Sequence, residues 1–138
     1  METRGIRNNN PLNIRHGKSK WVGMCKFQTD TNFVQFVSKL YGYRAAFVLL
    51  RKYIKRGLNT IGKIINGWAP PSDGNNTKSY INYVGSKTGI DVNLVLKFED
   101  IDKLVEIVRC MARMESGIDE DKTVIREAYD LATKKQDK

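Results

Sequence analysis

A helical repeat of apolar residues near the C-terminal end most limits how this chain can fold. Its apolar side chains follow one another at steps of three or one residues, a spacing that keeps them on one face of an α-helix. They are Ile101, Leu104, Val105, Val108, Met111 and Ala112. We therefore predict an amphipathic helix over residues 100–116 that turns this face toward a protein core.

Glu115 is the next residue on that apolar face. A carboxylate at the end of a buried stripe is costly unless it has a partner or a use. Burial disfavours its charged form and raises its pKa, as a general acid for sugar chemistry requires. The alternative is a last-turn Glu that reaches sideways to solvent or to Arg113, but the helix dipole disfavours an acid there. Glu115 is therefore the leading functional candidate.

Apolar spacing and residues that favour helix ends predict four further helices. They cover residues 40–56, a short segment with Ile61, Ile64 and Ile65 after a cap at Asn59 or Thr60, a segment from a cap at Asn76 or Thr77 to about Gly89, and residues 119–134. The chain is therefore predicted to be mainly α, with about five helices.

The remaining segments predict a small β element and loops. Residues 21–27 and 33–37 are short, apolar-rich and separated by a turn-like sequence, which favours a β-hairpin. Residues 1–19 predict a turn-rich loop, and residues 91–98 fit either a strand or a loop with a short helical turn. No internal repeat or linker divides the chain, so one domain is expected over residues 1–138.

The charge of the chain is unevenly distributed. The 138 residues carry a net charge of +9 and are 41% hydrophobic, a composition typical of one globular domain. Residues 1–70 hold 13 Lys and Arg against two acids, and the remaining residues hold 11 against 13. The basic half favours polyanionic partners, which include nucleic acid, teichoic acid, anionic membranes and cell wall.

Other sequence features exclude several classes of protein. No apolar run is long enough to span a membrane, and the N-terminal residues lack the apolar segment of a secretory signal. Two cysteines, Cys25 and Cys110, with the single histidine His16 make no recognisable zinc pattern. We therefore expect partly buried, reduced thiols, no metal and no other cofactor.

Several ordered segments resemble a family of small lysozyme-like proteins encoded by phages or prophages. The resemblance begins with RGIRNNNPLNIR at residues 4–15, continues through residues 21–61, and is most specific in WAPP at residues 68–71 and NTKSYI at residues 76–81. The chain departs from that family at Leu12, where Gly is usual, and at Asp73 or Gly74, where Glu is usual. The same residues resemble a circularly permuted bacterial glucosaminidase or lytic transglycosylase, in which a Glu-Ser pair closes a helix.

The resemblance implies a lysozyme-like α+β fold and a muramidase or lytic transglycosylase that acts on the glycan strands of peptidoglycan. Glu115 would be its general acid and base, and Asp30, at the tip of the predicted hairpin, would be a second acid. Side chains suited to binding sugar are Asn8, Asn9, Asn10, Trp21, Arg44, Trp68 and Tyr80.

Each of these residues also has a structural interpretation. Asp30 and the three asparagines suit turns, and large aromatic side chains are usually part of a core. Arg44 could pair with Glu115 or Asp30, or could be a surface charge.

Two other functions fit the sequence. The chain could be a virion structural protein that keeps a lysozyme-like fold without activity, or a basic nucleic-acid-binding module. Nucleic acid is the less favoured partner because the basic residues are dispersed and no recognised binding motif is present. Without a secretory signal, a protein made in the cytoplasm would need a virion, a lysis system or a secretion machine to reach the cell wall.

Overall fold

The computed structural model describes residues 2–134, and its architecture is mainly α. Six α-helices occupy this part of the chain. They are α1 (Arg4–Arg7), α2 (Lys39–Lys55), α3 (Ile61–Trp68), α4 (Thr77–Thr88), α5 (Ile101–Ser116) and α6 (Lys122–Thr133), with a 3₁₀ turn at Pro71–Asp73 between α3 and α4. Within residues 2–134, none of the helices combines the length and apolar character that crossing a bilayer requires.

Local capping explains where the helices begin and end. The side chains of Thr60 and Asn76 accept hydrogen bonds from backbone N–H groups in the first turns of α3 and α4. Asp121 does the same for α6. Gly89 and Gly117 end α4 and α5 with φ angles of 71° and 70°, values that glycine adopts without strain. The predicted cap at Asn76 and the predicted helix over residues 100–116 are therefore confirmed.

Two predicted segments differ from the structure at their boundaries. Residues 4–7 form the short helix α1 instead of a turn, because Thr3 caps it and accepts a hydrogen bond from the N–H of Ile6. The last helix begins at Lys122 instead of residue 119, because Asp121 is its N-cap. Residues 91–98 contain a turn and no regular strand.

The predicted β-hairpin is not confirmed. In the described residues, β pairing is limited to two isolated antiparallel bridges, Arg15 with Phe33 and Met24 with Phe36. Side chains take the place of a longer ladder: the Gln28 amide donates to the carbonyls of Cys25 and Gln35, and its oxygen accepts from the Gln35 N–H. Such side-chain bonds offer the backbone an alternative to strand pairing.

The core forms around α2 and α5. Helix α2 packs against α6, and α5 packs against α4 and α6. Tyr43, Phe47 and Leu50 of α2 are fully buried, as are Leu104 and Met111 of α5. The apolar face predicted for α5 is therefore confirmed.

The N-terminal residues pack against the C-terminal end of α5. Thr3 Oγ1 donates to the carbonyl of Ser116 over 2.8 Å, and Ser116 Oγ donates to the carbonyl of Pro11 over 2.8 Å. Gly5 lies so close that a Cβ atom there would fall 1.7 Å from Ser116 Oγ. These contacts bring the Asn-rich loop of residues 8–15 beside the end of α5.

Gly5→Ala is expected to destabilise the protein by about 1–3 kcal/mol, because the added methyl group overlaps the buried Ser116 side chain. Gly17→Ala is the matched control, since no atom lies within 4 Å of a Cβ placed there. Urea unfolding followed by circular dichroism measures both. Equal stability of the two variants would contradict the tight contact at Gly5.

Candidate functional site

Glu115 is half-buried in the last turn of α5 and is held by two neutral donors. The Tyr80 hydroxyl donates to Glu115 Oε2 over 3.0 Å. Asn13 Nδ2 lies 3.3 Å from Glu115 Oε1 and 3.1 Å from the Glu115 carbonyl oxygen, and donates to both. No ion pair involves Glu115 among the described residues, so the alternative pairing with Arg113 does not occur.

The surroundings of Glu115 favour its protonated form. Burial raises the pKa of the carboxyl group, and it outweighs the hydrogen bonds from Asn13 and Tyr80 and the nearby charge of Arg15, which lower that pKa. Neutral donors stabilise a carboxylate less than a buried ion pair would. Glu115 is therefore a carboxyl group suited to hold and deliver a proton.

An aromatic cleft contacts Asn13 but is not lined by Glu115 itself. Its volume is about 350 Å³, within the range of sites that bind small ligands. The residues that carry its chemistry are Asn13, Arg15, Trp21, Tyr53, Trp68 and Asp73. Because Asn13 lines the cleft and also donates to Glu115, it connects the cleft to the carboxyl group.

The walls of the cleft are fixed by contacts outside it. The rings of Tyr53 and Trp68 have centroids 5.6 Å apart. Trp68 Nε1 donates to the carbonyl of Leu12 over 3.0 Å, which ties α3 to the N-terminal loop. Half-buried aromatic rings beside polar groups suit a carbohydrate ligand, since the rings have an apolar face and the edges of a sugar form hydrogen bonds. Trp21 and Trp68 both line this cleft, and their role in binding sugar stays a prediction.

Asn13 is the site residue that sequence reasoning missed. Its backbone φ is +52°, a left-handed conformation that Asn tolerates better than most residues. Its Oδ1 atom is buried and has no hydrogen-bond partner within the described residues. The residue lies inside the segment that carries the family resemblance, but nothing in its type distinguishes it from the three asparagines before it.

Tyr80 has a different role from the one predicted. Its side chain is buried, with 5% of its surface exposed, so its ring is not available to stack on a sugar. Its hydroxyl instead orients Glu115. The prediction that Tyr80 binds substrate is therefore wrong, and we assign it to positioning the carboxyl group.

The three consecutive asparagines build the N-terminal loop. Asn10 is fully buried, and its amide donates to the carbonyls of Ile14 and Val34. Asn8 is also buried and donates to Asp30. The sugar-binding role predicted for Asn8 and Asn10 is therefore wrong. The side-chain amide of Asn9 is occupied by the carbonyl of Phe36, and Asn9 does not line the cleft.

Asp30 anchors a turn, and the structure does not bring it to Glu115. Asp30 Oδ1 accepts from the N–H groups of Asn32 and Phe33, and Oδ2 accepts from Asn8. These hydrogen bonds, the Asn32 N–H first, lower the pKa of Asp30 to about 2. Asp30 lines a depression whose residues are not shared with the aromatic cleft. We therefore remove it from the site.

Arg44 also lies outside the site. Its side chain is mostly buried on α2, with 8% of the residue exposed. Among the described residues, it forms no hydrogen bond or ion pair with Glu115 or Asp30. Of the two alternatives, the pairing with either acid does not occur, and a surface charge does not fit a residue that is 8% exposed. Arg44 also does not line the aromatic cleft, where it was predicted to bind sugar.

Two further acids have contrasting surroundings. Asp73 is an exposed acid that lines the aromatic cleft, on the 3₁₀ turn after the paired prolines. Glu120, which lies just before α6, is only 5% exposed. It accepts hydrogen bonds from the Tyr43 hydroxyl and from Lys39 Nζ, each over 3.0 Å. Glu120 therefore stabilises the chain where it enters α6.

The described residues offer no evident metal centre. No group of three or more His, Cys, Asp or Glu side chains occurs in residues 2–134 with a geometry that could hold a metal ion. Cys25 and Cys110 are free and half-buried. The cleft itself presents carboxyl, amide, guanidinium and aromatic groups.

Comparison with known proteins identifies a phage relative. The chain is 41% identical over 118 residues to Protein P5 of Pseudoalteromonas phage PM2, an alignment that covers 83% of this chain and 71% of that protein. The chain belongs to the Protein P5 family. No family model matches it. The relative's source agrees with the phage association that the resemblance implied, and the site described above is a candidate site for this member of the Protein P5 family.

Tyr80→Phe is expected to raise the pKa of Glu115 further, because the hydroxyl that stabilises the carboxylate is lost while the buried ring remains. Carbon-detected NMR titration of the Glu115 carboxyl group measures this shift. Tyr83→Phe on the same helix is the matched control, since the Tyr83 side chain is not among the groups that bond Glu115. An unchanged or lowered pKa in Tyr80→Phe would contradict the assigned contact.

Proposed function

We propose that this protein cleaves the glycan strands of peptidoglycan, with Glu115 as its general acid and base. The supporting observation is a half-buried carboxyl group with a raised pKa that is hydrogen-bonded to Asn13, a residue that lines an aromatic cleft. Glycosidic bond cleavage needs a protonated acid at the leaving oxygen. Because burial raises the pKa of Glu115, this carboxyl group holds a proton to higher pH than an exposed one and can supply it.

The proposed reaction uses Glu115 twice. First, the protonated Glu115 gives its proton to the glycosidic oxygen as the bond to the sugar breaks. Tyr80 and Asn13 then stabilise the resulting carboxylate by donating hydrogen bonds to its two oxygens. The carboxylate finally takes a proton from the nucleophile, which is water in a muramidase and a hydroxyl group of the same sugar in a lytic transglycosylase.

The proposed reaction does not need a second carboxylate. Asp73 is the acid that lines the cleft with Asn13 and Trp68, but it is exposed and sits on a 3₁₀ turn. In the enzymes that this chain resembles, the N-acetyl group of the substrate can stabilise the reaction centre in place of a second acid. We therefore assign Asp73 to substrate contact and the proton transfers to Glu115 alone.

The contact between the two ends of the chain supports a lysozyme-like fold. A circularly permuted relative needs the Asn-rich N-terminal loop beside the Glu-Ser end of the C-terminal helix. Asn13 donates to Glu115, 102 residues later in the chain, and Ser116 donates to Pro11. This arrangement supports the resemblance to permuted glucosaminidases and transglycosylases as a proposal about fold.

A virion component without activity is the second candidate function. The phage relative favours it, since phages place lysozyme-like proteins in their particles. In both candidates, the virion is the proposed carrier to the cell wall. The two candidates differ in whether the Glu115 carboxyl group is needed for any measurable reaction.

Glu115→Gln is expected to reduce the clearing of purified peptidoglycan by about a hundredfold or more, because the amide cannot transfer a proton. Loss of turbidity with time measures the activity, and circular dichroism verifies folding. Glu127→Gln is the matched control, since Glu127 is exposed on α6. Equal clearing by wild type and Glu115→Gln, or no clearing by either, would contradict the proposed function.

Asp73→Asn is expected to reduce clearing by less than about tenfold, because general acid–base transfer is assigned to Glu115 alone. A loss as large as that of Glu115→Gln would show that Asp73 is a second essential carboxylate. Mass spectrometry of the products separates the two chemistries: anhydro sugars identify a transglycosylase, and reducing ends identify a muramidase.

A further inference from the structure

A basic and apolar surface lies outside the aromatic cleft. Its apolar members are Val22, Phe27 and Val37, which are 48%, 79% and 60% exposed. A hydrogen bond of 2.8 Å from the Val37 N–H to the Gly23 carbonyl holds their two backbone segments together. Phe27 is the most exposed large apolar side chain in residues 2–134. Burying such side chains on a partner is favourable.

Lysines accompany these apolar side chains. Lys18, Lys20 and Lys26 are all exposed, and Lys26 Nζ lies 5.6 Å from the centre of the Phe27 ring. The sequence has no acidic residue between Glu2 and Asp30. The surface therefore combines apolar groups with uncompensated positive charge, and its partner needs apolar and anionic character together.

The combination of lysines and exposed apolar side chains favours a membrane surface over a protein as the partner. Interfaces between proteins are depleted in lysine, because burying an ammonium group costs desolvation. At an anionic bilayer, apolar side chains enter the boundary between headgroups and acyl chains while lysine ammonium groups stay among the headgroups. Each basic residue near such a surface strengthens binding by about fivefold.

We propose that Val22, Phe27 and Val37, with Lys18, Lys20 and Lys26, bind the surface of an anionic lipid bilayer. Trp21 precedes Val22 and lines the aromatic cleft. Binding through this surface would thus hold the cleft at a fixed position relative to the membrane. The proposal does not depend on glycan cleavage, because its residues lie outside the set assigned to that chemistry.

Sedimentation of the full chain with large vesicles tests the proposal. Vesicles of phosphatidylglycerol mixed with phosphatidylcholine are compared with vesicles of phosphatidylcholine alone, at low and physiological salt. Binding is expected with the anionic vesicles only, and salt should weaken it. Phe27→Ser should lower the affinity about tenfold. Joint replacement of Lys18, Lys20 and Lys26 by Gln should lower it about a hundredfold.

Val95→Ser is the matched control. Val95 is 62% exposed, close to the value for Val37, and lies on the segment between α4 and α5. The affinity of the Val95→Ser variant for the anionic vesicles should equal that of wild type. Three results would overturn the proposal: no binding to the anionic vesicles, equal binding to both kinds of vesicle, or the same loss in Val95→Ser as in Phe27→Ser.

Discussion

The contact between Ser116 and the N-terminal residues is the interaction on which the candidate site depends. Ser116 is fully buried, its hydroxyl donates to Pro11, and its carbonyl accepts from Thr3. These bonds join residues that are 105 and 113 positions apart, so they form only when both ends of the chain are in place. Together with the hydrogen bond from Trp68 to the Leu12 carbonyl, they hold Asn13 beside Glu115. The proton-holding carboxyl group is therefore a product of the whole fold.

The hydrogen bonds within the Asn-rich loop also support the contact at Ser116. Asn10 uses its side-chain amide and its side-chain oxygen on the backbone of residues 14 and 34, which fixes the loop without regular secondary structure. A buried amide that satisfies three backbone groups cannot also bind a ligand, because its hydrogen-bonding capacity is used. Losing it would leave those backbone groups unpaired in the core, where each costs about 1–3 kcal/mol. The side chains of Asn8 and Asn10 therefore support the loop, and Asn13 is the asparagine that lines the cleft.

The sequence predicted the helices better than it predicted the site. Apolar spacing and caps give α5 and its buried face directly, because both depend on residues close together in the chain. The unusual position of Glu115 was visible for the same reason. The partners of Glu115 were not, since Asn13 and Tyr80 reach it from distant segments. A local pattern shows that a carboxyl group will be buried, but not which groups will surround it.

Because partners come from distant segments, the sequence also failed to predict the surroundings of individual side chains. Tyr80 and Trp68 are both aromatic residues near the WAPP segment, yet one is buried beneath the site and the other lines the cleft. Glu120 precedes α6 among other acids, yet Lys39 and Tyr43 of α2 enclose it. In each case the outcome depends on how helices pack, which residue type and spacing do not determine.

Three carboxyl groups in this protein differ in role because their neighbouring groups differ. Asp30 accepts from two backbone N–H groups and an amide, and its pKa falls to about 2. Glu120 is buried but has the Lys39 ammonium group 3.0 Å away. Glu115 has only the neutral donors Asn13 and Tyr80, so burial prevails and its pKa rises above the usual 4.5.

The opposite shifts of Asp30 and Glu115 have opposite effects on stability. Because the fold lowers the pKa of Asp30, the ionised carboxylate stabilises the folded protein above pH 3.8. This contribution to stability is lost as the pH falls toward 2. For Glu115 the pH dependence of stability is reversed, because the fold raises its pKa. The protonated form favours the fold below pH 4.5, and that contribution is lost as the pH rises through the folded-state pKa. Once ionised, Glu115 therefore works against folding. This cost agrees with the proton-transfer role proposed for Glu115, which needs a carboxyl group with a raised pKa.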